Sequence, residues 1–133
     1  MGAIVTGFVD SPEGYSALNL AIEEAKNRDS LLVVVHSMRG GTETPTEEIA
    51  RYSVALKKVE DRLDGEGVAY EIVKYVRDRT PAQDIVAAAE EANAELIVIG
   101  YRKRTSVGKA FLGSQAQEIM MSANCPVLAT MET

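Results

Sequence analysis

The sequence has no tryptophan, two phenylalanines, one cysteine and one histidine. Each scarcity removes a possibility. One thiol, Cys125, forms no internal disulfide, and with one histidine, His36, it makes no cysteine–histidine metal cluster. With so few aromatics the core must be aliphatic, built from Ile, Val, Leu, Ala and Met. No apolar run approaches the roughly 18 residues of a membrane-spanning helix, and the amino terminus "MGAIVTGFVD" lacks a basic leader. The cytoplasm is the default expectation. The pattern M-G-x-x-x-[ST] does run from Met1 to Thr6, but "AIVTGFV" reads as a buried strand rather than a modification signal. Bases are also few: 14 against 20 acids, a formal charge of −6, which argues against general nucleic-acid binding.

What is present fits one domain spanning 1–133. Five short apolar runs, 3–9, 30–37, 68–76, 95–100 and 125–130, alternate with four helical stretches. Four of the runs are almost continuously apolar, as strands of a parallel sheet covered on both faces are. The third, "VAYEIVKYV", alternates more and is expected nearer an edge. Helix starts carry cap signatures: Ser11-Pro12, Thr44-Pro45 with Glu47, Thr80-Pro81 with Gln83, and Ser114 with Gln117. Apolar faces follow at helical spacing, as in Leu18, Ala21, Ile22 and Ala25. The second helix, about 45–64, stops at "DGEG". The order βαβαβαβαβ predicts an open α/β fold with five parallel strands and right-handed crossovers.

In such sheets ligands bind beyond the carboxyl ends of the strands. Three segments converge there: "VDS" (9–11), "SMRGG" (37–41) and "GYRKRTSVGK" (100–109). The last carries Arg102, Lys103, Arg104 and Lys109 with no acid between Glu95 and Glu118, and leads into Gly113-Ser114 at a helix start. Free N–H groups at a helix start attract anions, so this stretch is read as an anion site, although Ser114 also serves as an ordinary N-cap. A Walker A loop is excluded by Lys103 and Ala110, and GxGxxG is absent. His36 ends the second strand and reads as a structural residue. Cys125 reads as packing. No nucleophile or base stands in a recognisable catalytic pattern, and no residues stand out as metal ligands.

Taken together, "IVTGFVDSPEGYSALNLAIEEA", "SLLVVVHS", "TPAQDIVAAAEEANAELIVIG" and "FLGSQAQEIMMSANCPVLAT" resemble the universal stress protein family over nearly the whole chain. The resemblance implies a sheet of order 3-2-1-4-5 with helices on both faces, of the adenine nucleotide α-hydrolase-like type. It implies a stress-response regulatory protein that binds ATP or AMP, with Mg²⁺ arriving only with the nucleotide and at most slow ATP hydrolysis. Carried over by position, the nucleotide-binding residues are Val9, Asp10, Ser11, Met38, Gly100, Arg102, Lys103, Gly113, Ser114 and Gln115. The family's phosphate loop is Gly-x2-Gly-x9-Gly-[Ser/Thr]. Gly100, Gly113 and Ser114 match it, whereas position 103 is Lys where nucleotide binders have Gly. Val9 and Asp10 stand where they have Asp and Gly. The resemblance also implies a homodimer through the last strand, at Val127, Leu128 and Ala129. The alternative is a dimeric interaction module of the same family that works without nucleotide.

Overall fold

Apolar runs flanked by capped helices place every second strand residue on one of two covered faces. The computed structural model describes residues 2–38, 45–76, 79–104, 109–111 and 113–132. Its elements are β1 (Ala3–Gly7), α1 (Pro12–Arg28), β2 (Leu31–Met38), α2 (Pro45–Glu66), β3 (Tyr70–Val76), α3 (Pro81–Ala92), β4 (Leu96–Arg104), β5 (Lys109–Phe111), α4 (Ser114–Ser122) and β6 (Val127–Met131). Strand β1 pairs in parallel with β2 and β4, β2 with β3, and β4 with β6. Counting the parallel strands alone, this is the expected order 3-2-1-4-5. The alternating third run, β3, lies at the edge as its pattern predicts.

The two faces sort by residue parity. Ile4, Leu32, Val34, Leu96 and Val98 pack with Leu18, Ala21 and Ile22 of α1 and Leu56, Val59 and Leu63 of α2. Val5, Val33, Val35, Ile97 and Ile99 pack with Ile85, Ala88 and Ala89 of α3 and Ala116 and Ile119 of α4. Thr6 is a fully buried polar exception in β1, and its hydroxyl donates to the Val98 carbonyl at 2.9 Å. Asp29 and Asn93 close α1 and α3 in the left-handed region, at φ 51° each, where short polar side chains are tolerated.

One element departs from the sequence reading. The fourth strand does not stop at Gly100. It runs on to Arg104 and pairs antiparallel with β5, with Arg102 opposite Phe111, Lys103 opposite Ala110 and Arg104 opposite Lys109. The paired residues Arg102, Lys103 and Arg104 are all basic, so the sequence carries no apolar strand period there. Its backbone groups still find partners in each other. Thr44, the expected cap of α2, and residues 39–44 of the segment after β2 lie outside the described residues. Among the described residues, no helix is long and apolar enough to cross a membrane.

Candidate functional site

The loop after β1 is built from its own contacts. The Phe8 amide donates to the Val35 carbonyl at 2.8 Å, so pairing continues one residue past the strand. Ser11 is extended and caps α1, its hydroxyl oxygen accepting from the Gly14 amide at 3.2 Å. The Tyr15 hydroxyl donates to Asp10 Oδ1 at 3.1 Å, and its ring meets Phe8 edge-on at 5.4 Å. Burial and the neighbouring Asp10 carboxylate push the Tyr15 phenol above its usual value. Gly14 lets the loop fold back on the helix, because a Cβ there would lie 1.9 Å from the Val9 carbonyl oxygen. Val9 remains exposed. Met38, the expected contact from the second strand, ends β2 opposite Val76.

Gly100 has a packing duty. A Cβ on it would stand 2.1 Å from the carbonyl oxygen of Glu13, so only glycine lets the first turn of α1 approach β4. Two residues on, Arg102 donates from Nε to Glu13 Oε2 at 2.6 Å. The basic stretch expected to be free of acid therefore receives one from a residue 89 positions away. Burial raises the Glu13 carboxyl, but hydrogen bonding from Arg102 and the nearby Ser11 hydroxyl outweighs it, and the group is held below the usual carboxylate range. Ser11 lies close enough to favour the charge, yet makes no well-formed hydrogen bond to Glu13 Oε1, which is buried. The same pairing raises the Arg102 guanidinium further. Lys103 sits in the hairpin as strand backbone. Left-handed backbone occurs, among the described residues, only at Asp29, Gly67 and Asn93.

The helix starts at this edge differ. In α3, Thr80 accepts from the Gln83 amide at 3.1 Å while the Gln83 side chain accepts from the Thr80 amide at 2.8 Å, completing the expected capping box. Pro81 has no N–H, and the Ala82 amide donates to Gln115 Oε1 at 2.9 Å. Asp84, fully buried in the first turn, faces Arg79 Nε at 3.3 Å, and that guanidinium lies over the Tyr75 ring at 5.5 Å. In α4 the cap is Gly113, not Ser114: the Gly113 carbonyl accepts from the Gln117 amide at 3.0 Å, and the cap residue itself offers no side-chain hydrogen bond. Ser114 is the first helical residue and is exposed. Gln115 turns to α3 and is committed there.

The structure thus brings the loop at 9–11, Gly100, Arg102 and the start of α4 to one end of the sheet. Sequence reasoning missed Glu13 and Asp84. Glu13 is a first-turn acid, the only available signal for it, and its partner is unreadable from spacing. His36 is buried against Tyr52, with ring centroids 4.5 Å apart. A cavity of about 300 Å³ lined by His36, Leu56, Lys57, Glu60, Ile72 and Lys74, among others, includes none of the expected nucleotide-binding residues. Among the described residues, no three His, Cys, Asp or Glu side chains gather as a metal site.

Comparison with known proteins adds to this geometry. The family model described as "Universal stress protein family" matches residues 1–130. A universal stress protein of Mycolicibacterium smegmatis is 39% identical over 127 residues, 95% of each chain. A solved universal stress protein from Archaeoglobus fulgidus is 36% identical, with a TM-score of 0.81 over 97% of both chains. A universal stress protein from the same organism, solved in complex with dAMP, is 32% identical, with a TM-score of 0.75 over 97% of this chain and 96% of that one.

Proposed function

This chain belongs to the universal stress protein family, and from that membership we propose that it is a regulatory protein that binds an adenine nucleotide at the carboxyl edge of its sheet. The observation that carries the reading is the start of α4. Its cap is Gly113, which offers no side chain, and a Cβ there would meet nothing within 4 Å. Its first amides are those that a phosphate takes up at a helix start. The bound dAMP of the A. fulgidus relative supports the ligand class. In this reading the phosphate lies on the amides at Ser114 and Gln115, with Arg102 beside it. The base lies between the loop at Val9, Asp10 and Ser11 and the end of β2 at Met38. Gly100 contributes by packing, Lys103 by its charge at the hairpin, and Mg²⁺ enters only with a di- or triphosphate.

The hairpin favours a second reading. Lys103 occupies a paired strand position where a close backbone approach would call for glycine, which suits an interaction module that works without nucleotide. In either reading the protein acts as a homodimer. Strand β6 lies at the sheet edge with Val127, Leu128 and Ala129 half-buried, and pairing with a second copy would cover it.

Mass spectrometry of nucleotide released from the denatured, purified protein, with calorimetric titration of AMP, dAMP and ATP, tests the proposal. Released adenine nucleotide or saturable heat is expected. No released nucleotide and no heat up to about 1 mM ligand, the edge of useful affinity, overturns it in favour of the second reading. Light scattering that gives a monomer at micromolar concentration overturns the dimer.

A further inference from the structure

The contact between Arg102 and Glu13 spans the place where the proposed ligand would sit. It joins the first turn of α1, which follows β1, to the extended end of β4, and β1 and β4 are neighbours in the sheet. The hairpin register sets Arg102 on β4 opposite Phe111 of β5, two residues before Gly113, so Arg102 lies beside the strand that leads to the start of α4. The two partners are unequally held. The Arg102 side chain is 61% exposed, whereas Glu13 is 19% exposed and locked in a turn packed on Gly100. The arginine is the member free to move.

We infer that Glu13 is a resident substitute for phosphate, one that a nucleotide must displace from Arg102 and that then selects a monophosphate over a triphosphate. This rests on the nucleotide reading above. A phosphate offers Arg102 two acceptor oxygens in the fork geometry that a guanidinium prefers. Exchange leaves the Glu13 carboxylate in place with one oxygen buried and no well-formed hydrogen bond to it. The Oε2 that had paired with Arg102 is then left beside the incoming phosphate. Repulsion grows with each further negative phosphoryl group, so discrimination arises from a repulsive element rather than a new contact.

The test is calorimetric titration of AMP and ATP into the wild-type protein, Glu13→Gln and Glu13→Asp, with thermal melts confirming that each is folded. Glu13→Gln is expected to tighten AMP by up to about fivefold, the size of an exposed ion pair, and ATP by about tenfold or more. Glu13→Asp keeps the charge and is expected to tighten neither. Binding by Glu13→Gln alone, with none by the wild-type protein, also supports the competitor. Equal tightening of both nucleotides overturns the selectivity. Unchanged or weaker binding by Glu13→Gln overturns the competitor while leaving nucleotide binding intact. Silence from all three proteins with both ligands overturns the nucleotide reading and this inference with it.

Discussion

Helices α3 and α4 begin at the same edge and pack on the same face of the sheet, yet their first turns are opposites. At α3, Thr80 and Gln83 close a capping box, Pro81 removes one donor, and Gln115 takes another from across the interface. The Thr80 hydroxyl also donates to Glu118 at 3.4 Å. Helix α4 thus lends two side chains, Gln115 and Glu118, to its neighbour's start while its own is capped only by glycine. A finished helix start is a structural joint. An unfinished one, placed where chain segments converge, is a place for an anion. Cap residues alone do not separate the two, because Ser114 with Gln117 looks as complete in the sequence as Thr80 with Gln83.

The contrast can be broken from either side. Gly113→Asp would make α4 resemble α3. The side chain has room, the new carboxylate would cap the amides, and AMP affinity is expected to fall more than tenfold, about 1.4 kcal/mol, in calorimetric titration. The melting temperature should hold or rise slightly, since glycine and aspartate caps differ by a few tenths of a kcal/mol. Thr80→Ala acts on the finished start. It is expected to cost about 1 kcal/mol of stability in urea unfolding and to leave AMP affinity unchanged, because no ligand uses those donors. The smallest effect is electrostatic. Thr80 and Gln83 carry no charge, whereas the contact near α4 rests on Glu13, whose carboxyl is held below its usual value. A depressed carboxyl contributes stability above its unfolded value, roughly 4.3, and loses it as pH falls through the folded value. The wild-type protein and Glu13→Gln should therefore differ slightly in melting temperature at pH 6 and converge as the pH falls through the folded Glu13 value.

Much of this architecture is legible in the residues. Both-face burial writes continuous apolar runs, and Ser11-Pro12 and Thr80-Pro81 mark α1 and α3 correctly because capping is a local interaction. What escapes is long-range or lacks a pattern. The hairpin at 102–104 and 109–111 opens on three consecutive basic residues, which carry no apolar period. The cap of α4 slips from Ser114 to Gly113 because both residue types suit that position. The commitment of the Gln115 side chain to α3, 33 positions away, has no local signal. Glu13 and Arg102 meet only once β1 and β4 become neighbours. A candidate site assembled from loops is legible as a set of segments, while the pairing inside it belongs to the fold.

Gly100 carries a last consequence, for how such chains are sorted by motif. It is the first glycine of the phosphate-loop pattern, yet the backbone of Glu13 fills the space beside it. A lineage that stopped meeting nucleotides would drift at Gly113 and around Lys103 and still keep Gly100, since losing it would push α1 off β4. Presence of that glycine therefore diagnoses an intact scaffold rather than a bound ligand.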